Sequence, residues 1–325
     1  MTERIDDFLK TVINPIWPNA KFSECFMSGF NIEQNLNYFN AKLWSGDLLK
    51  GSDYEYNGDG KFIHYSSLQG LKAILDSGFL RMSEFSSLID KNEMNYGADV
   101  FKSNSSFQYY RENTDNLKSN IFCLSVCESS ENTKRDNLMW ETYGDKGKGI
   151  IIEFSLTKKD PKFFVLGKIQ YGKDARQPLY DLKEKCENYL KGNNLAFPNN
   201  FPELMTEIQS FHKSMIYEGE REVRLLFKNN VNYPSETVYR DFNSNQEVKS
   251  FNKLFLKGRH LFSREIDEDV NYLDEYPQIE IKNIILGFNI SGENKVAITD
   301  LLQEIKKQHS YDYDVFQINS EKEIY

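Results

Sequence analysis

The sequence predicts an α+β fold, a mixed β core with flanking helices and an N-terminal helical extension. Several short apolar runs read as strands, and the helical segments between them follow no strict βαβ alternation. The chain carries no internal repeat and no dinucleotide glycine fingerprint. With 39% hydrophobic residues, 24 Phe and 19 Tyr, 325 residues suffice for a sizeable aromatic-rich core.

Ile5, Phe8, Leu9 and Val12 recur at helical spacing, and Pro15 and Pro18 end that helix. Residues Asn31 to Leu49 are expected to form a second helix. The Gly-, Asn- and Asp-rich stretch Gly51–Gly60 marks a loop and the expected boundary. The predicted organisation is an extension over 1–60 and a main domain over 61–325. In that domain Phe62–Tyr65 reads as a strand. Ser67 caps a helix with the stripe Leu68, Leu71, Ile74 and Leu75, which Gly78 ends. Phe79–Ser83 is a short extended piece, and the polar stretch Asp90–Asn120 reads as helix and loop. Strands follow at Ile121–Val126, Ile150–Phe154, Phe164–Tyr171, Glu222–Phe227 and Ile279–Phe288. Leu138–Thr142 makes a helical turn. Helices are expected at Lys183–Lys191, Glu203–Tyr217 and Gly292–Gln308, with a last strand at Asp314–Ile318.

A net charge of -9 and a pI near 5.2 argue against broad, nonspecific nucleic-acid binding. The acidic N-terminus does not resemble a signal peptide, and no apolar run reaches bilayer length. Cys25, Cys123, Cys127 and Cys186 lack a paired metal-ligand spacing. A reducing cytoplasm is the expected compartment, with no membrane partner.

Four blocks carry candidate chemistry. The first is Glu220-Arg221-Glu222-Val223-Arg224-Leu225. It reads as the start of a strand, so Glu220, Glu222 and Arg224 share one face by alternation. Two acids on one face repel unless a cation or ligand sits between them, and such a pair suits holding sugar hydroxyls or moving a proton. A surface Glu–Arg ladder is the bland alternative, but Val223, Leu225 and Leu226 imply burial, and buried charges need partners.

The second block, His64-Tyr65-Ser66, closes a strand before a helix, where ligand crevices often form. From the residue alone, a satisfied core histidine is the simpler reading of His64. The third runs from Trp140 to Ile150 and holds three glycines in six residues. Either Trp140 and Tyr143 wall a flat ring, or they are core aromatics beside a tight turn. The fourth is Ser125, with Ser83 a weaker parallel; a plain strand-end serine is the simpler reading. His212, His260 and His309 lie among polar residues and are expected at the surface. No Asp/Glu/His set has convincing metal spacing, so no metal is expected.

The order of these blocks resembles a widespread, uncharacterised bacterial domain family. The matching runs are His-Tyr-Ser-Ser, Phe-Cys-Leu-Ser, Met-Trp-x-x-Tyr-Gly-x-x-Gly-x-Gly-Ile, Glu-x-Glu-x-Arg-Leu and Ile-x-x-Ile-Ile-Leu-Gly, between Phe62 and Phe288. At a greater distance two of them resemble the ADP-ribosyltransferase superfamily. That resemblance implies an ADP-ribosyltransferase-like core with NAD as co-substrate. His64, flanked by Tyr65 and Ser66, would hold the adenosine-side ribose. Tyr143 or Ser125 would fill the middle position near nicotinamide, with Trp140 and Arg224 lining the site. Glu222 would hold the nicotinamide ribose, and Glu220 would direct the acceptor. The implied protein is a bacterial toxin or antiviral-defence effector that modifies a macromolecule, protein or nucleic acid, and answers to an antitoxin or regulatory partner. Two other classes stay open: a non-catalytic binding module with a degenerate nucleotide pocket, and a carboxylate-dependent nuclease using Glu220 and Glu222.

Overall fold

The computed structural model describes residues 2–31, 36–43, 48–88, 95–102, 118–119, 121–157, 164–195, 207–228, 238–242, 248–257 and 277–317. It is an α+β protein. Ten strands pair into one large, mostly antiparallel sheet, and two smaller two-stranded sheets accompany it.

In chain order the described elements begin with α1 (Thr2–Phe8), continued by a π-helical turn over Leu9–Ile13. Then come β1 (Phe22–Asn31), β2 (Leu36–Leu43), β3 (Lys61–Ser66), α2 (Leu68–Ser77), β4 (Phe79–Glu84), α3 (Asn95–Lys102) and β5 (Ile121–Glu128). Next are α4 (Glu131–Lys134), α5 (Asn137–Tyr143), β6 (Ile150–Leu156), β7 (Phe164–Lys168), β8 (Gln170–Tyr171) and α6 (Gln177–Gly192). The last are β9 (His212–Lys213), β10 (Glu222–Lys228), β11 (Val238–Phe242), β12 (Val248–Phe255), β13 (Ile279–Leu286), α7 (Gly292–His309) and β14 (Asp314–Gln317). The large sheet runs β11-β12-β4-β5-β3-β6-β13-β14, with β10 also on β5 and β7 on β10.

The chain divides into two compact units. The first comprises Met1–Tyr56, Ser83–Leu124 and Lys162–Asn252. Its core joins Phe8, Val12, Ile13 and Trp17 to Leu179, Leu182 and Cys186 on α6, and to Leu226 on β10. The Phe8 and Tyr189 rings meet edge to face at 5.4 Å, a favoured aromatic geometry. The N-terminal helix thus exists, and its apolar stripe is buried within this unit.

Two helices expected from the sequence are not seen as such among the described residues. Within Asn31–Leu49, Leu36–Leu43 is β2, which pairs antiparallel with β1 from Phe22↔Leu43 to Asn31↔Leu36. Asn37 and Asn40 are poor helix formers, and the hairpin partner supplies the backbone bonds. In Glu203–Tyr217, only Glu207–Gln209 is α-helical among the described residues. His212 and Lys213 instead pair parallel with Gln170 and Tyr171, and Met215–Glu220 is a 3-10 segment.

The second unit comprises Asn57–Met82, Ser125–Pro161 and Lys253–Tyr325. Here β6 lies between β3 and β13, antiparallel to both, and β14 runs parallel to β13. The α7 helix supplies the crossover that a parallel pair requires. Ile63, Tyr65, Cys127, Met139, Trp140, Ile151 and Ile285 form one core cluster. The α2 caps follow the sequence reading. The Ser67 hydroxyl accepts from the Gly70 N–H, and Gly78 ends the helix at φ 76. The break at Tyr56/Asn57 falls inside the Gly51–Gly60 loop. Among the described residues no helix is long and apolar enough to cross a membrane.

Candidate functional site: a buried acid pair and its cationic clamp

The acid pair lies in the first unit, but alternation along a strand does not create it. Glu220 ends the 3-10 segment, and Glu222 opens β10. Between them Arg221 is left-handed, at φ 45 and ψ 46. An L-residue costs about 1–2 kcal/mol in that conformation. This one reverses the chain so that Glu220 and Glu222 meet over a single ammonium. Lys213 Nζ lies 2.9 Å from Glu220 Oε2 and 2.5 Å from Glu222 Oε2.

Glu222 and Arg224 do share a strand face, as the i, i+2 spacing requires. Arg224 donates from Nε at 2.8 Å, and its Nη2 lies 2.7 Å from the same oxygen, Glu222 Oε1. Its Nη1 donates to the Ser210 carbonyl oxygen, and the guanidinium lies 5.1 Å over the Phe85 ring. The Arg224 side chain is 0% exposed and that of Glu222 3%. Two acids and two bases therefore form a formally neutral, almost dry quartet. Desolvating four charges costs several kcal/mol each, and only this close pairing offsets that cost.

The short β8–β9 pair positions the quartet. Tyr171 on β8 stands in register with Lys213 on β9. The Tyr171 hydroxyl accepts the Glu222 N–H at 2.8 Å, and the Ile169 N–H donates to the Glu222 carbonyl at 3.1 Å. Burial raises the Tyr171 pKa most; the Glu222 backbone bond opposes that rise but does not cancel it. Tyr171 is thus a neutral phenol at physiological pH. Glu222 is held at its backbone by β8 and at its carboxylate by β9 and β10.

His212, expected at the surface, is buried. Its Nε2 lies 2.9 Å from the Tyr54 hydroxyl. Burial, and secondarily the Arg176 charge, lowers its pKa to about 3, so the ring is neutral. The polar sequence around it gave no warning, because the partner is 158 residues away. His309 is partly buried beside Tyr311, and His260 lies outside the described residues.

The other candidate residues belong to the second unit. His64 is partly buried in β3, opposite Ile152 of β6. Burial lowers its pKa, and a bond to the Ser125 backbone partly opposes the shift. His64 is therefore neutral near pH 7, with one ring nitrogen able to donate and the other to accept. Pairing between β3 and β5 is recorded at Phe62↔Glu128 and Ile63↔Cys127. Ser125 lies beyond those pairs and is exposed.

Tyr65 and Trp140 are core residues. The Tyr65 hydroxyl donates to the Thr133 carbonyl oxygen, and its ring meets Trp140 edge to face at 5.1 Å. Trp140 Nε1 donates to the Lys134 carbonyl oxygen at 2.8 Å. Trp140 is fully buried, whereas Tyr143 is 46% exposed.

The glycine-rich turn is tied to the protein's own backbone. Asp145, Lys146 and Gly147 are successively left-handed, at φ 50, 55 and 77. Asn289 Nδ2 donates to the Lys146 carbonyl oxygen at 2.7 Å, and the Gly287 N–H to that of Gly149 at 3.0 Å. A Cβ on Gly149 would collide with the Ser66 carbonyl oxygen, so the approaching backbone is that of β3. Ser66 thus borders this packing point.

One polar cluster escaped the sequence reading. Glu153 is buried and accepts from Ser129 Oγ and Asn283 Nδ2, with Lys134 Nζ at 2.8 Å. Burial pushes its pKa up, yet these partners together hold it below the usual carboxylate value. Its signal was the lone acid in Ile150-Ile151-Ile152-Glu153-Phe154. Among the described residues no three His, Cys, Asp or Glu side chains group as metal ligands.

Glu220, Glu222 and Arg224 thus come together in the first unit, with Lys213 and Tyr171 as partners that the sequence did not disclose. His64 and Ser125 meet in the second. No family model, no curated protein and no solved structure matches this chain.

Proposed function

We propose that the protein is an NAD-dependent ADP-ribosyltransferase acting on a macromolecule, protein or nucleic acid. The observation that carries this reading is the convergence of Glu220 and Glu222 on one ammonium, with Glu222 anchored from three sides. In such a reaction nicotinamide departs with the electron pair of the glycosidic bond, and positive charge develops on the ribose. A carboxylate held in a low-dielectric site stabilises that charge without reorganising. The acceptor then attacks the ribosyl carbon and gives up a proton, for which Glu220 is the base. His64, neutral and part-exposed, and the exposed Ser125 and Tyr143 are the second unit's own candidates for polar contacts to a ligand, and the roles given to the two glutamates do not depend on them. We assign the activity to a bacterial toxin or antiviral effector under control of a partner protein. The reducing cytoplasm is the compartment this reading implies.

A second reading has its own observation. The Glu222 side chain is 3% exposed and salt-bridged at both oxygens, the arrangement of a structural tie in a non-catalytic binding module. Incubation with labelled NAD and cell extract separates the two. The transferase releases nicotinamide and labels a macromolecule. Glu222→Gln, which keeps shape and removes charge, lowers NAD cleavage by roughly 10²–10³-fold, by analogy with loss of a preorganised stabilising group. Glu220→Gln lowers transfer more than hydrolysis. Wild-type protein that binds NAD without releasing nicotinamide supports the binding module, and full activity in Glu222→Gln overturns the transferase mechanism.

A further inference from the structure

The two oxygens of Glu222 are held by partners of different mobility. Oε1 receives Arg224, whose guanidinium is 0% exposed, bonded to the Ser210 carbonyl and packed over Phe85. That partner cannot withdraw without leaving a buried charge unpaired. Oε2 receives Lys213, whose side chain is 13% exposed. An ammonium on a four-carbon stem reorients easily, whereas a planar guanidinium engaged through all three nitrogens does not. Lys213 already holds a second acceptor, Glu220 Oε2 at 2.9 Å, and its ammonium stands 5.3 Å from the Tyr217 ring.

We propose that Lys213 is the positioning residue of the acid pair: it aims Glu222 Oε2, and it yields that oxygen to the ligand while staying bound to Glu220. This rests on the reading of Glu222 as the ribose-holding carboxylate. Oε2 is then the working oxygen. Lys213 keeps the two carboxylates together in the resting protein, where their repulsion would otherwise splay them. When a ribose hydroxyl reaches Oε2, the ammonium remains with Glu220 and no charge is stranded. The register Tyr171↔Lys213 ties this ammonium to the phenol that holds the Glu222 backbone, so one two-residue strand pair sets both ends of the catalytic glutamate.

The test compares the full chain as wild type, Lys213→Met and Lys213→Arg, with steady-state NAD cleavage followed by nicotinamide release. Lys213→Met keeps the stem and removes the charge. It should lower kcat at least tenfold while KM for NAD changes less than threefold, because ground-state binding is spread over other groups. Lys213→Arg, which keeps the charge, should restore a large part of kcat. Thermal unfolding of each variant identifies one that fails to fold, in which case Lys213→Arg and Lys213→Gln carry the same comparison. Unchanged kcat in Lys213→Met, or a loss that Lys213→Arg does not reduce, overturns the role of Lys213 and leaves the transferase reading intact. A wild type that releases no nicotinamide overturns the transferase reading, and the proposed role falls with it.

Discussion

Replacing Arg224 by Met tests the quartet without any assumption about activity. Met fills much of the arginine's apolar volume and removes its charge. The loss comprises two contacts to Glu222 Oε1, at 2.8 and 2.7 Å, and the bond to the Ser210 carbonyl. Hydrogen bonds to charged groups contribute about 1.5–3 kcal/mol each, and a desolvated cation over a ring such as Phe85 about 2 kcal/mol. Methionine packing returns part of this. Lys213 still neutralises one oxygen of Glu222, so the stranded charge is shared. The net expectation is about 3–5 kcal/mol, the usual cost of breaking a buried pair from one side. For a unit of this size that lowers Tm by roughly 6–20 °C. Urea unfolding should show it, with hydrogen exchange of the β10 amides locating the loss in the first unit. Adding Glu222→Gln to Arg224→Met should cost less than the two single changes together, with a coupling of at least about 2 kcal/mol. A loss below about 1 kcal/mol for Arg224→Met, or strict additivity in the double variant, would refute the argument.

Further expectations concern pH and backbone. His212 is neutral in the folded chain down to about pH 3, whereas an unfolded histidine takes a proton below about 6.5. Its contribution to stability is therefore whole above about pH 6.5 and is lost as pH falls, at about 1.4 kcal/mol per pH unit. His212→Gln should flatten the decline of the unfolding free energy from urea titration between pH 6 and 4 by roughly that slope, and an unaltered decline would contradict the assignment. Gly149→Ala drives a Cβ into the Ser66 and Gly144 carbonyls and should destabilise the second unit by about 2–3 kcal/mol, measured by urea titration. Lys146→Gly removes a side chain from a left-handed, exposed position and should raise stability by about 0.5–1 kcal/mol; any loss would mean the Lys146 side chain contributes contacts that outweigh the relief.

The sequence disclosed those features whose causes are local. Ser67 and Gly78 bracket α2 because a hydroxyl cap and a left-handed stop act within one turn of the helix. Ile150-Ile151-Ile152 reads as strand because it is buried in the middle of a sheet. What stayed hidden depends on distant partners. The residues of β2 resemble a weak helix until β1 pairs with them. His212 resembles a surface histidine until Tyr54 reaches it. The burial of Glu222 beside a cation was legible in Glu-x-Glu-x-Arg, and so was its shared face with Arg224. The meeting of Glu220 with Glu222 was expected for a different reason, since alternation cannot pass through a left-handed residue. Lys213 had no local signal, because it faces the pair from the end of a two-residue strand.

The left-handed Arg221 makes the middle letter of this acid pair informative. On a continuous strand, Val, Ile or Thr would be favoured between two glutamates, since branching at Cβ suits the pleat. At φ 45 those same residues are the most penalised, while Gly, Asn and Asp are the best tolerated. The two architectures that write Glu-x-Glu therefore exclude each other's preferred middle residues. A library of all residues at position 221, sorted for folded protein, would print that difference as an amino-acid preference. It would turn a motif usually scored on its acids into one that also reports whether the chain turns or runs straight between them.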